Sequence, residues 1–528
     1  MTDPGQYVCL STSKYFVFFK RCERMRIERF DVVIVGAGLS GIGAASYLKT
    51  QLPYKSFVIL ETKPRMGGTW DLFRYPGVRS DSDMHTMGYA FKPWKHPKAI
   101  SEAGAIIDYI EETARENDID RHIRYQHKIV SASWSSAQSL WTLEVEQADG
   151  RLIRLCCPFI FSCAGYYNHH EGYVPEWLGY HDYKGTLVHP QFWPEDLDYA
   201  GKRLVIVGSG ATAVTLAPAL AEKAAEVVQL QRSPTYVVSR PSEDAFNTFL
   251  KYFLPAKLAY QATRWRTIIT GRLRAKRFAK NPRRAKQLLI GLVKREIGPD
   301  CDIKHFTPDY WPGQQRICRV PDGDMFKAIR DGKVKVVTDH IERFDARGIQ
   351  LKSGQRLDAD IIITATGLVL QALGGVKYTV DGQAIEPGKL IVYKGLMYSN
   401  VPNLIYFTGY FNASWTLKVD LVADFACRLL KHIDATGAKQ VTPRADNDVF
   451  AKPARRMPFI SGYILRAAGI MPRQGAEFPW ITESNYFWDR KTLLRGPVED
   501  DTLDFSGPKP IVLPPLQRAD PALQQAAE

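Results

Sequence analysis

Two apolar runs, Asp31-Val-Val-Ile-Val35 and Arg203-Leu-Val-Ile-Val207, each lead straight into a glycine-rich turn. The turns read Gly36-Ala37-Gly38-Leu39-Ser40-Gly41 and Gly208-Ser209-Gly210-Ala211-Thr212-Ala213, with Val214 following the second. An unbroken apolar run of this kind is the pattern of a buried parallel strand. The glycines permit a tight turn and a close backbone approach to a pyrophosphate. Amides at the start of the next helix then meet the phosphate charge. The first turn is followed by a second apolar run, residues 56–60, that ends in Glu61. An acid about 20 residues past the turn is placed to bind a ribose hydroxyl. The second is followed by a run over 227–231 that ends in Arg232-Ser233-Pro234, with no acid. Arginine there suits a ribose 2′-phosphate, as in NADPH, whereas NADH would prefer an acid. The other reading of Arg232 is an exposed strand-end residue. Strand, turn, helix and strand-end group, present twice, predict an α/β chain with two dinucleotide-binding (Rossmann-like) domains. At 528 residues the chain has room for two or three domains.

The net charge of +14 is concentrated in one place. Residues 251–297 carry 14 Lys or Arg against Glu296 alone, a local +13. Apolar residues interleave there at helical spacing, including Trp265, Ile268, Leu273, Leu289 and Val293. This predicts a basic helical insertion in the second unit. A solvated face is the first reading of it and peripheral contact with a membrane surface the second. Nothing resembles a nucleic-acid-binding module. The eight cysteines include no Cys-x-x-Cys pair, which argues against a zinc site and against dithiol redox chemistry, and no metal is expected. Scattered cysteines fit a reducing cytosol, so a cytoplasmic protein is expected. Residues 1–25 read as an extension, with Met25 the natural start. Expected boundaries are 26–165 and 396–528 for the first unit and 201–240 and 301–395 for the second. Residues 166–200 form the linker and 241–300 the insertion.

Two further stretches stand between the fingerprints. Residues 67–81 run Gly-Gly-Thr-Trp-Asp-Leu-Phe-Arg-Tyr-Pro-Gly-Val-Arg-Ser-Asp. A loop this long and turn-rich inside a compact domain is usually functional. Residues 183–194 run Tyr-Lys-Gly-Thr-Leu-Val-His-Pro-Gln-Phe-Trp-Pro and connect the two units. Both stretches resemble signatures of the type I Baeyer–Villiger monooxygenases. One is Gly-Gly-x-Trp-x-x-x-Arg-Tyr/Phe-Pro-Gly-x-x-x-Asp, matched at every fixed position. The other is Phe-x-Gly-x-x-x-His-x-x-x-Trp-Pro/Asp, matched at Gly185, His189, Trp193 and Pro194, with Tyr183 in place of Phe. Residues 80–84, 165–168, 195–199, 230–236 and 412–418 extend the likeness to the ethionamide-activating branch, and it covers about residues 26–505.

The resemblance implies FAD and NADPH as cofactors. Gly36, Gly38, Ser40, Gly41 and Glu61 would hold FAD, with Thr69, Trp70, Asp71 and Leu72 beside the flavin and a backbone contact near Ile129. Arg79, Ser80 and Asp81 would lie between flavin and nicotinamide. Gly208 to Val214, with Ser209, Gly210, Ala211, Thr212 and Ala213 between them, would hold NADPH together with Arg232 and Ser233. Oxygen is the natural acceptor for a reduced flavin without a dithiol. The resulting C4a-peroxide attacks ketones as an anion and oxidises sulfur or nitrogen when protonated. Arg316 matches the arginine that favours the anion, and Asp81 would orient it. Gln315 stands where well-studied members have lysine, and Tyr410 follows Gly409 where many flavoproteins have Asp. His189 reads as a hydrogen-bonded hinge. The expected reaction converts a small apolar ketone to an ester or lactone with NADPH and O2, and also oxygenates sulfides or thioamides. The alternatives are a general S- or N-oxygenating flavin monooxygenase and a flavoprotein sensor with a membrane-surface patch.

Overall fold

The computed structural model describes residues 27–453 and 460–507. The extension expected over residues 1–25 and the tail beyond 507 lie outside the described residues. Behind each glycine turn stands a five-stranded sheet. In the first, Val32–Val35 pairs with Phe57–Leu60 on one side and Phe159–Ser162 on the other. Ile123–Arg124 and Leu404–Tyr406 form its edges, and every pairing is parallel. Val32 and Ile34 pack with Ile42, Ile106 and Val422 from three covering helices. Val33 and Val35 turn the other way, onto Ile129, Trp134 and Leu143 of a six-stranded sheet. Burial on both faces is why this strand is apolar at successive positions.

The second sheet repeats the scheme, again all parallel, in the order Thr186–Val188, Ile361–Thr364, Arg203–Val207, Glu226–Gln231, Val334–Thr338. Leu204 and Ile206 pack on Leu216, Ala217 and Leu220 of the helix that follows the turn. Val205 and Val207 pack on Phe344, Ile349 and Leu351.

Two local expectations differ from what forms. Residues 123–130 read as one strand of a small sheet. The chain splits there at Gln126, which has φ +55°, so Ile123–Arg124 closes the parallel sheet and His127–Ser135 enters the six-stranded one. Residues 301–395 were expected to complete the second unit, yet Lys377–Val380 pairs with residues 131–134 of the first unit's sheet. The linker also carries strands. Tyr167–Gly172 pairs antiparallel with Leu368–Leu370, and Thr186–Val188 is the edge strand of the second sheet.

The basic segment forms helices Ala245–Lys251, Ala256–Lys280 and Pro282–Glu296. Its inner side is held by an unusual contact. Arg264, with 4% of its side chain exposed, reaches Asp420 at 2.9 Å. The same guanidinium donates to the carbonyls of His85, Thr86 and Gly88 at 3.1, 3.2 and 2.7 Å. Burial pushes the Asp420 carboxyl up to about 6, against the pull of Arg264 and of the Ala90 amide. Among the described residues no helix is long and apolar enough to cross a membrane.

Two substitutions test this architecture. A Cβ on Gly41 would lie 1.9 Å from the Gly36 carbonyl oxygen, so the turn and helix cannot both stay in place. Gly41→Ala is expected to destabilise the fold by about 1–3 kcal/mol, read as a fall in urea midpoint. Arg264→Met leaves Asp420 buried without its cation, and a loss of about 3–5 kcal/mol is expected on the same measurement.

Candidate active site

The loop over residues 67–81 joins the two glycine turns. Its first end lies on the first turn. The Gly67 amide donates to Ala37 O at 3.1 Å. Gly68, at φ +58°, approaches so closely that a Cβ there would sit 3.0 Å from the Gly38 Cα. The loop's far end lies on the helix of the second turn. Tyr75 is buried among Val188, Leu204 and Ala213. Gly77, at φ +75°, packs where a Cβ would meet Ala219 Cβ at 2.8 Å. Between these ends the loop is not merely a surface turn, because Thr69–Leu72 winds into one helical turn. Asp71 is buried there with ion pairs to Arg74 at 2.8 Å and Arg65 at 3.0 Å. Thr69, Trp70 and Leu72 are partly exposed on the same turn, and Trp70 leans on the first core.

The first glycine turn suits a pyrophosphate. Helix Leu39–Gln51 begins at Gly38 with no side-chain cap and no acid in its first turn, which leaves its leading amides for an anion. Glu61 sits beside it, with 7% of its surface exposed. Its carboxylate accepts the Ala37 amide at 2.8 Å and the Lys63 amide at 2.9 Å. Burial raises its pKa and those two amides oppose the rise. Ile129 is buried two residues past His127, whose amide bonds Glu61 O. Ser40 is buried and accepts from Trp415 Nε1 at 2.8 Å.

The second turn is more open. Gly208, at φ +150°, passes the Ala365 carbonyl where a Cβ would lie at 2.3 Å, whereas nothing lies within 4 Å of a Cβ on Gly210. Helix Ala211–Leu220 again has neither a side-chain cap nor an acid at its start. Ser209 is half-buried and Ala211 exposed, while Ala213 and Val214 are in the core. Arg232 and Ser233 are exposed just past strand Glu226–Gln231. No ion pair within the described residues engages Arg232.

Where the loop ends, Asp81 and Arg316 meet. Their carboxylate and guanidinium lie 3.4 Å apart, with 29% and 36% of the side chains exposed. Burial alone would lower the pKa of Arg316. Asp81 and the phenols of Tyr166, Tyr167 and Tyr463 more than offset this and hold it above the ordinary arginine value. The Arg316 Nε is buried with no hydrogen-bond partner. Tyr166 and Tyr167 touch through their hydroxyls at 3.2 Å. The Tyr166 ring lies 5.3 Å from the ring of Trp415, which is bonded to Ser40. An aromatic wall therefore runs from the first glycine turn to the guanidinium.

Not every expected residue faces this cleft. Arg79 is committed to a two-armed ion pair with Asp324. Ser80 is 1% exposed, and its hydroxyl closes on the backbone of Ser82. Tyr410 turns inward to Asp489 at 2.6 Å, a carboxylate it shares with the buried Lys418. In the linker, the His189 Nδ1 accepts the Gln191 amide and its Nε2 lies 3.2 Å from Gly367 O. Burial lowers its pKa, against the pull of the Gly367 and Tyr173 backbone, and the ring braces the linker. Gly185 leaves room for the Tyr183 hydroxyl, which bonds Ala359 O at 2.9 Å. Trp193 packs against the second core beside Tyr199. The sequence reading assigned no role to Tyr166, Tyr167, Trp415 or Tyr463. The first three lie in stretches, residues 165–168 and 412–418, that carry the family likeness, and Gly165, just before the first two, adopts φ +71°.

Residues 30–401 match the flavin-binding monooxygenase-like family. The FAD-containing monooxygenase EthA of Mycobacterium tuberculosis is 50% identical over 482 residues, 91% of this chain and 98% of that protein. The FAD-binding monooxygenase AlmA of Acinetobacter baylyi, so named as probable, is 45% identical over 90% of this chain and 96% of its own. Among solved structures, an oxidised steroid monooxygenase bound to NADP superposes with a TM-score of 0.72 at 21% identity, over 91% of this chain and all (100%) of that one. An open form of cyclohexanone monooxygenase gives 0.67 at 19%, over 79% and 90%. The strand, turn and helix pattern, the bridged glycine turns and these matches together place the chain in the flavin-binding monooxygenase-like family, as a relative of the EthA monooxygenases.

Proposed function

We propose that this FAD-containing monooxygenase uses NADPH and O2 to convert small apolar ketones to esters or lactones, and that it also oxygenates sulfur in sulfides or thioamides. The observation that carries the reading is the Asp81–Arg316 pair at the end of the loop that joins both glycine turns. Per turnover, ketone, O2, NADPH and one proton give ester, NADP+ and water.

The first turn with Glu61 would hold FAD, and the second turn with Arg232 and Ser233 would hold NADPH. Bound FAD would supply acceptance of hydride from NADPH and activation of O2, chemistry that the chain's own side chains lack. The chain's own residues do the rest. Arg316 presents a permanent positive charge that favours an anionic oxygen nucleophile over its protonated form. The same guanidinium faces the negative charge that develops on the ketone oxygen during attack. Asp81 fixes the direction of the guanidinium. The rings of Tyr166, Tyr167 and Trp415 form an apolar wall that orients the substrate and excludes water. Reaction with sulfur needs no carbonyl stabilisation, so it depends less on Arg316.

Arg316→Ala should therefore bind FAD normally but lose ester formation by roughly 10²–10³ in rate. NADPH-driven oxygen uptake should continue as uncoupled release of hydrogen peroxide. Product analysis beside oxygen consumption on one preparation checks this, and ester at the wild-type rate would sink the assignment. Asp81→Ala should shift the balance the same way and also slow flavin reduction. Arg232→Ala should weaken NADPH binding by about 1.5–3 kcal/mol while NADH use stays almost unchanged. Equal losses for the two cofactors would remove Arg232 from 2′-phosphate recognition.

A further inference from the structure

The corner between the first two helices of the basic insertion reads Lys251-Tyr-Phe-Leu-Pro-Ala-Lys257-Leu258, and every one of these residues is exposed. Tyr252 is 80% exposed, Phe253 71% and Leu258 56%. Phe249, one turn earlier, is 58% exposed and its ring lies tilted against that of Phe253, with centroids 5.2 Å apart. Apolar side chains gathered on one projecting corner are unusual for a surface that faces only water. Lysines bracket the corner, and the helices behind it carry the rest of the local +13.

The corner is rigidly mounted. Helix Ala256–Lys280 is pinned from its first turns by Tyr260, which donates to Tyr89 O at 2.9 Å, and by Gln261, which donates to Ala90 O at 2.7 Å. One turn further on, Arg264 locks it to Asp420. The start of this helix, which carries Leu258, is therefore fixed to the protein.

We propose that this corner docks the enzyme on an anionic lipid surface, with Phe249, Tyr252, Phe253 and Leu258 entering the interfacial region and the flanking lysines and arginines facing lipid phosphates. Aromatic rings favour the headgroup level, and a cation there has anionic partners within a Debye length. Charge selects this occupant over a second copy of the chain, because a twofold contact would bring one strongly basic surface against its own equal. The convex corner offers no groove to follow a nucleic-acid strand. With no membrane-crossing helix in the described residues, the attachment is peripheral and reversible.

The test uses the full-length flavin-loaded protein and sedimentation with phosphatidylcholine vesicles, with and without phosphatidylglycerol. Wild type should pellet with the anionic vesicles at low salt and not with neutral ones. Tyr252→Ser with Phe253→Ser should reduce that partitioning roughly tenfold or more, the scale of two lost apolar rings. Lys251→Gln with Lys257→Gln should weaken it and flatten its salt dependence. Unchanged flavin content shows that both variants are folded. A Phe253→Trp variant should blue-shift on vesicles and be quenched by bromine-labelled lipid chains. The proposal is overturned if wild type stays in solution with anionic vesicles at low salt. It is equally overturned if the aromatic variant binds as well as wild type. An unquenched Trp, or an aromatic variant whose only change is the loss of a dimer in solution, would also overturn it.

Discussion

The structure depends on one close approach of backbone to backbone. Gly68 lies on Gly38 with room for no side chain between them, and the same loop ends with Gly77 on the helix of the second turn. One segment of fifteen residues therefore touches both nucleotide turns and then delivers Asp81 to Arg316. Because main chain rather than flexible side chains sets the spacing, the geometry is stiff. A long side chain could hop between rotamers, whereas a Gly–Gly contact admits one distance. The position of Asp81 beside Arg316 is thus set by a segment anchored on both units.

Much of this was legible in the sequence, for identifiable reasons. Val32–Val35 and Arg203–Val207 are buried on both faces, so periodicity marks them as central parallel strands. Glu61 is a strand-end acid whose distance from the turn follows from the size of one βαβ unit. Asp81 and Arg316 were paired only through resemblance, since they are far apart in the chain and no local rule joins them. Tyr463 was invisible for the same reason. Ser80 and Arg79 were expected beside the nicotinamide; in this structure the Ser80 hydroxyl bonds the backbone of nearby Ser82, and Arg79 pairs with Asp324, 245 positions away in the chain. Sequence can identify a polar residue in a functional loop but not which neighbour takes its hydrogen bonds. Ile123–Arg124 was misassigned because two residues carry no period, and only the left-handed turn at Gln126 separates the two sheets.

The basic insertion illustrates a similar limit. Its charges read alike along the chain, but they do different work in space. Arg264 is spent inside the protein on Asp420 and three carbonyls, where it serves as a bolt between helices. Arg266 pairs with Asp244, and Arg272 lies over the ring of Phe487, 4.3 Å from its centre. Net charge thus overstates what is available to a partner, and the spacing of apolar residues overstates what is core. Ile268 is buried while its neighbour Ile269 is exposed.

The chain crosses between its two units at more than one place, and the antiparallel pairing of Tyr167–Gly172 with Leu368–Leu370 ties two crossings into a ribbon. His189 clamps that ribbon, with its imidazole seated on Gly172 and bonded to Gly367. Two separate tethers would let the units slide, tilt and twist independently. A clamped ribbon resists shear along its length and bends readily only across its face. Any movement of one unit against the other is thereby restrained at this ribbon as well as at the loop over residues 67–81.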